Sequence, residues 1–176
     1  MSEQRETGLL AETCAALGAH RLPRWRELPD LELYMDQVLS LITRYLGDYP
    51  GFDRRGLTAS MVNNYVKQGA LPPPDKKRYG REHLAGLIVI CILKASLPIA
   101  AIHDLRAGAL ESSSEEAFYD AFCALFERVN AETAAACAKT EGVGTESAVL
   151  RAALRAQAEQ ALAARLCAAG SGQDAP

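Results

Sequence analysis

Residues 84–93 read Leu-Ala-Gly-Leu-Ile-Val-Ile-Cys-Ile-Leu, ten positions without a charge or a polar side chain. That is half the roughly 20 residues a membrane-spanning helix needs, so the run is expected to be a helix buried in the core of a water-exposed domain. A segment apolar on every side has to be enclosed by other elements, and the elements around it have the signals of helices. No stretch alternates apolar and polar residues with period two over enough length to read as a strand. With 176 residues, nearly half of them apolar, few aromatics and much alanine after position 130, the chain is expected to be all-α.

Punctuation divides the rest. Residues 1–6 read as a tail, and Thr7 opens a short helix ending near Gly18. An irregular segment, 22–29, carries the single tryptophan, Trp25. Asp30 is the expected N-cap of a helix to about Leu46, with Leu31, Tyr34, Val38, Leu41, Ile42 and Tyr45 on its apolar face. Thr58 caps a short helix to about Gln68. Gly69 ends it, and Pro72-Pro73-Pro74 prevents its resumption. A charged turn at 75–79 could hold a tiny two-stranded wing, and it leads into the apolar helix from Arg81 to about Lys94. Ser96 and Pro98 start a further helix. Ser112-Ser113-Ser114 before Glu115-Glu116 starts one to about Lys139, with Phe118, Phe122, Leu125, Phe126 and Val129 as its apolar stripe. Gly142 and Gly144 interrupt the chain. A last helix covers about 145–169, and the tail from Gly170 is polar and expected to be disordered. The expected domains are a tail and short helix (1–21), a central domain (22–110), a C-terminal helical region (111–169) and the tail (170–176).

Charge is unevenly spread. Between Arg54 and Lys94, eight cations (Arg54, Arg55, Lys67, Lys76, Lys77, Arg78, Arg81, Lys94) face two acids (Asp75, Glu82). The segment is therefore +6, which leaves −9 for the remainder of a chain whose net charge is −3. A polyanion responds to such local clustering more than to net charge. Within this segment the helix after Thr58 can turn Met61, Val62, Tyr65 and Val66 inward. Ser60, Asn63, Asn64, Lys67 and Gln68 then face out. Asn and Gln can pair bidentately with an adenine edge in the major groove, and Lys suits phosphate or guanine. A polar helix face of this kind is more often simply solvated. The basic turn beside it shifts the balance toward a recognition helix and wing.

Two resemblances add to this. Leu28-Pro29-Asp30 with Leu33-Tyr34-Met35-Asp36-Gln37-Val38, Leu57 through Lys67, Lys76-Lys77-Arg78-Tyr79, Arg81 through Ala85 and Leu87 through Lys94 together resemble the YkrK-like family of uncharacterised bacterial proteins, over about residues 22–130. The resemblance implies a bacterial transcriptional regulator. The order Asn63-Asn64-Tyr65, Gly69-Ala70-Leu71-Pro72, Arg78-Tyr79, apolar helix and Leu97 through Ile102 is similar to the MerR-type winged helix-turn-helix. That likeness implies a MerR-like winged helix-turn-helix core with N-terminal and C-terminal flanking helices, and phosphate contacts by Tyr65 and Arg78. The chain departs from the MerR pattern at Asn63 and Asn64, which stand where an arginine and an aromatic are usual, and in a shorter wing.

The resulting expectation is a DNA-binding repressor that holds duplex DNA through the helix at 58–68 and the basic turn at 75–81. Thr58, Ser60, Asn63, Asn64, Tyr65, Lys67, Gln68, Lys76, Lys77, Arg78 and Arg81 form its interface. A homodimer through the C-terminal helices suits two half-sites. The alternatives are a protein-interaction module on a winged-helix scaffold and a ligand-sensing regulator. Five cysteines, odd in number and far apart, argue against a disulfide framework and suit a reducing cytoplasm. His20, His83 and His103 are isolated, and no Cys-x-x-Cys, phosphate loop or catalytic signature occurs. No metal, cofactor, catalytic residue or membrane association is expected, and the effector, if any, has no signature.

Overall fold

The computed structural model describes residues 2–53, 55–138 and 145–170; Arg54, the expected breaks at Gly142 and Gly144, and the tail beyond Gly170 lie outside them. Among the described residues there are seven α-helices and no strand: α1 (Ser2–Ala19), α2 (Met35–Leu46), α3 (Ala59–Lys67), α4 (Arg81–Leu93), α5 (Ile99–Leu110), α6 (Glu115–Ala138) and α7 (Thr145–Gly170). The chain divides into two compact units, one of residues 21–125 and one of residues up to 20 together with those from 126 onward.

The 21–125 unit is built around α4. Every residue from His83 to Cys91 is buried, as the apolar run requires. α2 and α5 pack on it, and α3 packs on α2. Val38, Ile42 and Leu46 of α2, Val62 and Tyr65 of α3, and Ile102 of α5 supply the facing side chains. Each large aliphatic residue enclosed in this way contributes about 1.5–3 kcal/mol. Gly86 is small for a reason: a Cβ there would meet Leu71 Cδ2 at 2.7 Å. Leu71, delivered by the turn after α3, therefore docks directly on the α4 backbone.

α2 starts later than its apolar spacing predicts. Asp30 is not its N-cap. The chain stays extended through Leu33, which pairs with Tyr79 through two backbone bonds, Leu33 N–H to Tyr79 O (3.0 Å) and Tyr79 N–H to Leu33 O (2.9 Å). Both side chains are buried. The helix begins only after this pair, where Tyr34 N–H donates to Gln37 Oε1 (2.9 Å). Leu31 and Tyr34, expected in the core, are exposed.

Residues 21–28 are tied to α6. The Trp25 N–H donates to Asp120 Oδ1 (2.8 Å), Arg26 pairs with Glu116 (2.9 Å), and the Trp25 ring meets Tyr119 edge-on. α6 is capped by Ser114, whose Oγ accepts from Ala117 N–H (3.2 Å). Its buried face is Tyr119, Cys123, Phe126 and Asn130, while Leu125 and Val129 are exposed. The expected stripe was thus rotated by about one residue. Phe118 and Phe122 are only half-buried.

In the other unit α1 begins at Ser2, so residues 2–6 are helical and not the expected tail. α1 approaches α6 closely at Gly18, where an added Cβ would lie 3.1 Å from Ala134 Cβ. α7 runs one residue further than expected, through Gly170, and it leaves Val149, Leu150, Leu154, Leu162 and Leu166 exposed.

Candidate nucleic-acid interface

The α3 helix starts at a cap that its sequence specifies. Thr58 is extended, and its hydroxyl oxygen accepts from Met61 N–H at 3.3 Å. The end is equally local. Gly69 adopts φ +75°, a left-handed value that glycine takes without steric cost, and the N–H groups of Ala70 and Leu71 fold back onto Tyr65 O. Between these ends the inward side is Val62 and Tyr65, with Met61 and Val66 half-buried. Ser60, Asn63, Asn64, Lys67 and Gln68 are all exposed. The face expected from spacing is therefore the exposed face. Thr58 is exposed too, although its oxygen is committed to the cap.

Eight residues beyond Gln68, at most roughly 29 Å of extended chain, lies the basic turn. Asp75 O accepts from Arg78 N–H at 2.7 Å, and the two residues form an isolated bridge. Lys76 and Lys77 occupy the two central positions with φ of 45° and 65°. Positive φ at both central residues is the mark of a type I′ turn, which usually takes Asn-Gly. Two lysines here are held in left-handed backbone conformations that cost about 1–2 kcal/mol each. Both are exposed. Instead of a two-stranded wing there is one tight turn, and its trailing end is paired to Leu33.

Arg78 and Arg81 are engaged within the fold. Arg78 Nη1 is 3.3 Å from Glu32 Oε2, and its guanidinium lies 5.2 Å from the centre of the Tyr34 ring. Arg81 is largely enclosed, with 19% of its side chain exposed. It pairs with Asp30 at 3.4 Å and lies over Trp25 at 5.7 Å. Lys67, Lys76 and Lys77 make no such pairs among the described contacts and are the more available cations. Tyr65 is 5% exposed, and burial raises its phenol above the ordinary value. It sits with the core and positions α3, so the phosphate contact implied by the MerR resemblance has no exposed ring to make it.

Tyr34 is the residue that spacing missed. Its spacing predicts a place on a buried helical face, yet it is 53% exposed and lies against the Arg78 guanidinium. The short Leu31-Glu32-Leu33 alternation after Pro29 was the local sign of extended chain. His83 is also more specific than it looked: its Nδ1 accepts from Gly80 N–H at 3.0 Å, capping α4, and its ring meets Tyr79 edge-on. Asp53 and Arg55 form a close exposed pair that holds the Asp53 carboxyl below the usual range.

Among the described residues, no group of His, Cys, Asp and Glu is placed to hold a metal ion. No described helix is long and apolar enough to cross a membrane. Residues 23–122 match a family model described as "Domain of unknown function (DUF1836)". The match spans the exposed α3 face, the lysine turn and the segment paired to it. No curated protein and no solved structure matches the chain.

Proposed function

The chain belongs to the family described as "Domain of unknown function (DUF1836)", and from that premise we propose that it is a DNA-binding transcriptional regulator acting as a repressor. One observation carries the reading: α3 buries Val62 and Tyr65 while presenting Ser60, Asn63, Asn64, Lys67 and Gln68 together to solvent, with Lys76 and Lys77 at the tip of a left-handed turn a short chain-length away. Amides read base edges and lysines hold phosphates. The resemblance to the YkrK-like family and to the MerR-type order supports the same reading. Arg78 and Arg81 add positive potential, and Tyr34 gives Arg78 a flat surface against which to hold its orientation.

The proposed assembly is a homodimer through α7. Leu150, Leu154, Leu162 and Leu166 stand at multiples of four residues along it and are exposed. A protein-interaction module is the competing reading, and the same exposed leucines favour it.

The test is fluorescence anisotropy with DNA from the chain's own upstream intergenic region, at two salt concentrations and against random competitor. Competitor-resistant binding with a steep salt dependence is expected. Absence of binding at low salt by the folded protein would transfer the weight to protein interaction. Asn63→Ala is expected to cost about 1–3 kcal/mol on the preferred sequence and little on random DNA. Equal losses on both would defeat the assignment of Asn63 to base reading.

A further inference from the structure

Three of the five cysteines lie in the unit made of α1, α7 and the later part of α6: Cys14, Cys167 and Cys137, each half-buried. Two of them meet. The Cys14 and Cys137 thiols are in hydrogen-bond contact across α1 and α6. The backbone geometry accounts for this. Gly18 follows Cys14 by one helical turn, Ala134 precedes Cys137 by three residues, and these two small residues let the helices approach until an added Cβ on Gly18 would touch Ala134. The contacts continue in antiparallel order to His20, whose ring meets Phe126 edge-on at 6.0 Å. Close antiparallel helices with facing thiols provide the approach a disulfide needs. Both residues are half-buried, whereas Cys91 and Cys123 are fully buried.

We propose that Cys14 and Cys137 form a reversible redox pair that closes into a disulfide, stapling α1 to α6, in the presence of a low-molecular-weight disulfide such as oxidised glutathione. The reaction is two successive exchanges. The Cys137 thiolate attacks one sulfur of the small disulfide, its S–S bond breaks, and one small thiolate leaves. Cys14 then attacks the Cys137 sulfur of the mixed disulfide, and the second small thiolate leaves. The protein loses two electrons and two protons, and the small disulfide gains both to become two thiols. The Cys14 thiol is pushed up to about 11, first by burial and then by its contact with Cys137. Only a deprotonated thiol attacks a disulfide, so closure is faster as pH rises. Cys91 and Cys123 are placed differently. Cys91 is enclosed in α4 with its thiol pushed up to about 11 by burial. Cys123 is buried and donates to Pro23 O at 3.7 Å. Both remain reduced. The inference does not depend on the DNA-binding reading.

The experiment equilibrates the full chain in glutathione redox buffers, blocks free thiols with N-ethylmaleimide and maps tryptic peptides. Oxidation is expected to join peptide 6–21 to peptide 129–139 and to remove two alkylatable thiols. Cys167→Ser leaves this unchanged. Cys14→Ser abolishes the cross-link and leaves a stable glutathione adduct on Cys137. A cross-link to Cys167 instead, a disulfide only between two chains, or continued alkylation of both Cys14 and Cys137 in oxidising buffer would overturn the proposal. The Cys167→Ser arm preserves the test if either pair variant fails to fold.

Discussion

Lys76 and Lys77 carry the sharpest conflict between local preference and observed conformation. An L-residue in the left-handed region is disfavoured by about 1–2 kcal/mol, and here two adjacent lysines adopt it at an exposed turn. Replacing Lys77 by glycine removes the clash but makes the unfolded chain freer by about 0.4–1 kcal/mol. Lys77→Gly is therefore expected to leave stability unchanged or raise it by up to about 1 kcal/mol. It should also weaken binding to every DNA sequence and lower the salt slope by about one unit. Urea unfolding and DNA titration of the same preparation check both halves; a loss of stability would show that the Lys77 side chain contributes to the fold. How far single residues were legible follows from this case. The Thr58 cap and the Gly69 stop are local chemistry and could be assigned from spacing. The fate of Arg81 could not, because its partners, Asp30 and Trp25, lie more than fifty positions away in the chain.

At the scale of elements, α4 behaves as its composition demands and fixes what surrounds it. Gly86→Ala places a methyl group 2.7 Å from Leu71 Cδ2. Leu71 is fully enclosed, so the expected cost is about 1–3 kcal/mol of unfolding free energy. A neutral result by denaturant titration would mean that the turn after α3 can move. Cys91 gives α4 a pH signature. Its thiol is pushed up to about 11 from an ordinary 9, so between those values the unfolded chain gives up a proton that the folded chain retains. Stability therefore falls as pH rises from 9 to 11, by up to roughly 3 kcal/mol from this group. Cys91→Ala is expected to be less stable at pH 8 but to lose less on going to pH 10.5. An identical loss in both proteins would assign the alkaline slope to the other groups raised by burial, Cys14 and the buried tyrosines.

For the molecule as a whole, the decisive feature is the row of exposed large apolar side chains along α7. α7 exposes Leu154 at 68% and four further large apolar side chains at similar levels, far more than isolated surface leucines require. In the proposed homodimer these side chains meet their copies. Leu154→Glu is then expected to convert the dimer to monomer in sedimentation velocity without loss of helix content, and to lower DNA affinity by the avidity of the second half-site. A wild-type protein that sediments as a monomer at high concentration would overturn the homodimer.

The sequence alone determined what depends on near neighbours. The buried α4 run, the start and stop of α3, its exposed polar face and the helical content all follow from hydrophobic period, capping and proline or glycine stops, which act within a few residues. Tertiary structure decided what depends on pairing across the chain. Leu33 abandoned the expected helix because bonding to Tyr79 satisfies two backbone groups and buries both side chains. That delayed α2 and brought Tyr34 out beside Arg78. The face of α6 was set by Trp25 and the 21–28 segment packing against it, and Cys14 met Cys137 because Gly18 and Ala134 let two distant helices close together. Long-range contacts such as these leave no periodic trace in sequence, since either partner alone is compatible with many environments.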